Sequence, residues 1–126
     1  MSYTNAMDIG VQHSEWLKIL DFYEKELNIL EKRLEEVAAK NTSFDARAGV
    51  EHFQNQFIIQ RNNIDELKHI VNAHSHNAFE DVKQHAGKVE TTLVDEHHKI
   101  EDDVKQFEKV VNDLRHEFNL FLTKWM

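Results

Sequence analysis

Apolar side chains recur along this chain at alternating steps of three and four residues, the spacing that lines one face of an α-helix. Trp16, Leu20, Tyr23, Leu27, Leu30, Leu34 and Val37 form a first seam, and extending it backwards puts His13 and Ile9 on the same face. A second seam reads Val50, Phe53, Phe57, Gln60, Ile64, Leu67, Val71, His74 and Ala78. The third runs without a miss through Leu93, His97, Ile100, Val104, Phe107, Val111, Leu114, Phe118, Phe121 and Trp125. Seams of this narrow, coiled-coil type must be covered by neighbouring helices. The chain therefore reads as one all-α domain, a long antiparallel three-helix bundle with helices over about 4–40, 43–86 and 89–125. Asp21 with Lys25 and Glu36 with Lys40 place acid before base one turn apart, the favourable order on an exposed face.

Two interruptions set these bounds. Asn41, Thr42 and Ser43 break the first periodic run, and Thr42 is the expected cap of the second helix, with Asp45 in the reciprocal position. Gly87 is the expected closing residue of that helix. A turn there matches the three helices at roughly 50–65 Å each. Asn77 with Glu80 also has a capping-box pattern, so a break near 72–77 defines a four-helix alternative. That alternative leaves the apolar stripe over 111–125 without a partner.

Composition narrows the classes. Proline and cysteine are absent and glycine occurs three times, which suits few turns and excludes disulfides, thiolate catalysis and cysteine-ligated zinc. A net charge of −8 opposes general nucleic-acid binding and docking on anionic lipid, so neither nucleic acid nor membrane is an expected partner. The opening MSYTNAMDIG lacks the basic start and apolar run of a secretory signal, and no apolar stretch has membrane length. A cytoplasmic location is the expectation.

The chemistry-bearing candidates are histidines. Six of the nine fall between residues 69 and 98, namely His69, His74, His76, His85, His97 and His98. With a turn centred on Gly87, His76 comes opposite His98, and His74 opposite Ile100, within a turn of His97. Met7 and Asp8 reach the same level on the first helix, with Glu80, Asp95, Glu96 and Asp102 nearby. Zinc, iron or manganese accepts such nitrogen and oxygen donors, and bundle cores commonly house them. The candidate metal ligands are His74, His76, His97, His98, Glu80 and Asp102. A structural reading stands beside this one: His13, His74 and His97 sit on seams, where buried polar residues pack, fix register and helix number, or respond to pH. His52, His69, His85 and His116 lie off the seams, on solvated faces.

His76 with Glu80 has His-x-x-x-Glu spacing, and His97 with Asp102 has His-x-x-x-x-Asp spacing. Both resemble spacings of the hemerythrin-like cation-binding bundles, which implies a His/carboxylate iron or zinc site in an all-α fold. That family's further His-x-x-x-His pair has no counterpart here, and the chain is not assigned to it. No Glu-x-x-His pair is repeated on two helices, as a ferritin-like di-iron site needs.

Elsewhere the residues point to packing. Gln60 is expected to hydrogen-bond Tyr23 inside the core. Phe22, Ile29, Ile58, Ile59 and Ile70 flank the seams and either widen the core or form an outer stripe for self-association. No nucleophile elbow and no phosphate-binding glycine loop occurs. The leading expectation is thus a non-enzymatic bundle, with no cofactor, acting through a protein partner or as a homo-oligomer. The alternative is a metal-binding bundle.

Overall fold

The seams become helices because nothing inside them breaks one: there is no proline, and their Leu, Glu, Lys and Ala content is helix-favouring. A computed structural model describes residues 6–84 and 91–126, with side chains described for 9–78, 80 and 93–126. The helices are α1 (Ala6–Lys40), α2 (Phe44–Gln84) and α3 (Thr91–Trp125). Each packs on the other two as an all-α three-helix bundle, with no strand among the described residues. The expected turn at Gly87 and the position of His85 lie outside the described residues, as do the side chains of Met7 and Asp8. No described helix is long and apolar enough to cross a membrane.

α2 continues without a break through 72–77, so the four-helix alternative does not occur. The capping-box pattern at Asn77 is overridden because His74 and Ala78 are both buried on one continuous seam. At the other end of α2 the cap is Ser43 rather than Thr42. The Ser43 hydroxyl accepts a hydrogen bond from the Ala46 amide at 3.2 Å, and the Ser43 carbonyl accepts the Arg47 amide at 3.0 Å. This phase buries Ala46 completely, one turn before Val50 on the seam.

Core packing is unequal along the rod. Leu20, Leu27, Leu34, Phe53, Phe57, Ile64, Val111, Leu114 and Phe118 belong to one large apolar cluster that fills the middle and the end nearest the α1–α2 turn. Aromatic edges organise it: Phe53 and Phe57 both meet Phe118 at 5.2 Å between ring centres. The Phe121 ring lies so close to α2 that a Cβ on Gly49 would stand 2.2 Å from it. That approach needs glycine. Asn41 closes the same end, its side-chain amide donating to the Val37 carbonyl at 3.0 Å and the Trp125 carbonyl at 2.8 Å.

Two expected side-chain pairings form differently. Tyr23 turns towards α3, where its hydroxyl accepts from Asn112 at 3.2 Å and donates to Glu108 at 3.5 Å. Buried Gln60 instead accepts from Asn63, one turn along its own helix, at 3.2 Å. Asp21 reaches across to Lys68 on α2 at 2.7 Å, and Arg61 of α2 meets Glu31 of α1 at 2.6 Å. These pairs lie at the bundle surface, where solvent screens them, so they orient the helices more than they stabilise them.

Candidate metal centre

The remaining end of the bundle has a different interior. Ile9, Ala78 and Val94 make a small apolar layer, and Trp16, Val71, Ile100 and Val104 make another. On every helix one seam position lies between the two layers, and it is occupied by a histidine: His13 on α1, His74 on α2 and His97 on α3. Their exposures are only 4 %, 3 % and 2 %. One nitrogen from each ring can be chosen so that all three lie within 4.8 Å of one another. Among the described residues this is the set of donors able to converge on one ion.

The hydrogen bonds fix where the ring protons sit. His74 Nε2 lies 2.9 Å from the Leu93 carbonyl oxygen, which can only accept, so His74 carries its proton on Nε2. Its Nδ1 is then a free lone pair, and it accepts from His13 Nε2 at 2.8 Å. His97 Nε2 donates to the Gln12 side-chain oxygen. His97 Nδ1, facing the interior, is fully buried with no hydrogen-bond partner. Buried polar atoms are almost always paired, so an orphan of this kind calls for an explanation.

Electrostatics keep His13 and His97 uncharged. Burial lowers the His13 pKa from 6.5 to about 4, with further lowering from His74 and His97. Burial likewise brings His97 to about 4, His74 and His98 adding to the effect and Glu101 opposing it. Neutral imidazole is the form that offers a lone pair to a metal. The Trp16 ring covers the group, 4.6 Å from His97 and 5.4 Å from His13 between ring centres. A cleft of about 270 Å³ between α2 and α3 reaches His74 from outside and carries His69, Glu96, Lys99 and Asp103 on its walls.

Of the residues singled out in the sequence as metal ligands, the fold brings together His74 and His97 and adds His13. His76, His98, Glu80 and Asp102 are exposed and stand outside the converging set, so the two hemerythrin-like spacings do not meet at one point. The reason is helical phase: counted from buried His74 and His97, these four positions fall about 100° or more around their helices from the seam, and the stagger differs as well. His74 faces His97 rather than Ile100, three residues from the expected register. His13 and His74 hydrogen-bond each other within this layer, whereas each alone would face an apolar row. His13 is a seam position in the sequence, and the signal that joins it to the others is that all three seam histidines can share a layer.

The flanking apolar residues divide. Phe22, Ile29, Ile58 and Ile59 are exposed, while Ile70 packs against the Trp16 layer. His52, His69 and His116 are exposed. Comparison of the chain with family models, with curated proteins and with solved structures returned no match.

Proposed function

We propose that this bundle binds one divalent transition-metal ion, zinc above all, through His13, His74 and His97. The observation that carries the reading is the buried, unpartnered Nδ1 of His97, set against two more neutral imidazoles in an otherwise apolar interior. Three ring nitrogens closing on zinc at about 2.0–2.1 Å come to lie about 3.3 Å apart. One nitrogen of each ring already lies within 4.8 Å of the other two. A nitrogen-only set suits zinc better than manganese or magnesium, which favour oxygen. The role is binding; no reaction step is assigned.

Titration of tag-free, metal-depleted protein with zinc is the test. One equivalent should bind, and at a free concentration 100 times the dissociation constant it should add about 2.7 kcal/mol to stability. Replacing His13, His74 and His97 together by leucine should abolish uptake and leave the helical circular dichroism unchanged. Wild-type protein that ignores zinc, or a triple variant that still binds it, sinks the reading.

A second reading, self-association, is favoured by the exposure of Phe22 and Ile29, two turns apart on α1, and of Ile58 and Ile59 on α2, each near one half. Sedimentation equilibrium should then show dimers that dissociate when Phe22 and Ile29 become Ser. A strict monomer at high concentration removes this reading.

A further inference from the structure

Resting on the zinc reading, the geometry points to the individual donor atoms, Nδ1 of His74, Nδ1 of His97 and Nε2 of His13, and to Gln12 as the residue that positions His97. Each histidine has two nitrogens, and three rings allow eight combinations, so what selects one is informative. On α2 and α3 the outward nitrogen is already engaged. His74 Nε2–H is held at 2.9 Å by the Leu93 main-chain carbonyl, and His97 Nε2–H by the Gln12 side chain. Each ring therefore presents Nδ1 to the interior as a lone pair. A metal-binding histidine characteristically donates its other N–H to a carbonyl or carboxylate, which fixes ring orientation and raises basicity. Two of the three rings have that partner in place without any metal.

His13 differs. Its Nε2–H is the donor to His74 Nδ1 at 2.8 Å, so the proton occupies the space between the two atoms that must turn to the ion. On binding, that proton leaves Nε2 for Nδ1 of the same ring, by exchange through solvent. All three imidazoles stay neutral, and the N–H···N hydrogen bond is exchanged for two metal bonds. Mixed use of ring atoms also fits the architecture. The short reach of Nδ1 keeps the ion near α2 and α3, and the far Nε2 of His13 spans from α1.

The experiment is nitrogen-15 NMR of histidine-labelled, full-length protein at pH 7, before and after one equivalent of zinc. Without metal, all three rings should carry the proton on Nε2. With zinc, His13 alone should change tautomer, and the nitrogens that shift should be Nδ1 of His74 and His97. His97 protonated on Nδ1 in the metal-free protein overturns the assignment of atoms and leaves zinc binding itself standing. Zinc that perturbs none of the three rings removes the metal reading, and this inference with it. Gln12 is tested separately. Gln12→Leu should weaken zinc binding about 10–100-fold and release the His97 tautomer. Gln12→Glu, which still accepts from Nε2–H, should restore both. Wild-type affinity and an unchanged His97 tautomer in Gln12→Leu overturn the positioning role.

Discussion

His13 and His97 are held neutral because the layers above and below them are apolar and offer an imidazolium little solvation. The consequence for stability has a definite sign. In the unfolded chain a histidine titrates near 6.5, whereas in the fold these two titrate at about 4. Between those values the unfolded state binds more protons, so stability is full above pH 6.5 and is lost as pH falls towards 4. Between pH 7 and pH 5 the loss amounts to about 2 kcal/mol for each such histidine. Urea denaturation of metal-free protein at the two pH values measures it. Leucine at both positions should flatten the profile, and an equally steep profile in that double variant would place the titration elsewhere. At this scale the sequence showed which histidines were internal, because His13, His74 and His97 fall on the apolar repeat. It did not show their hydrogen-bond partners. Gln12 and the Leu93 carbonyl have no periodic signature, and only the placement of α1 against α3 and of α2 against α3 brings them to the rings.

The helices as elements were largely legible. α1, α2 and α3 fall within two residues of their expected bounds, because a seam that runs seven or more apolar positions leaves little freedom in where a helix lies. Their ends were harder to read. Thr42 and Ser43 are adjacent and chemically alike, and only the phase of the seam, which buries Ala46, separates them. The Ser43 cap makes a sharp expectation. Ser43→Ala should destabilise by about 1 kcal/mol, and Thr42→Ala should change stability by less than about 0.5 kcal/mol. Thermal unfolding of the two single variants compares them, and the reverse order would return the cap to Thr42.

Across the whole molecule, the stagger between helices was the least legible quantity. Sliding one helix past another by three or four residues keeps apolar seam positions facing apolar seam positions, so patterning alone barely distinguishes such registers. Turn lengths do not decide it either, since the three residues after Lys40 permit more than one entry into α2. The polar exceptions in the seams carry the discriminating information: among the registers compatible with the apolar pattern, the observed one stacks all three seam histidines in one layer. The histidine cluster is thus a property of the assembled bundle, invisible in any one helix.

The unequal core has a consequence for how the rod opens. The end that holds Phe53, Phe57 and Phe118 is closed by dry aromatic contacts. Beyond the histidine layer, the described core holds only the small cluster of Ile9, Ala78 and Val94 with Leu93 against it. Cooperative units of different local stability can open separately. If the histidine group takes up zinc as proposed, opening of this smaller-cored end while the aromatic half stays folded would give the ion a second route beside the cleft between α2 and α3. Zinc entering by that second route would bind at the rate of end-opening, independent of its concentration once zinc is in excess.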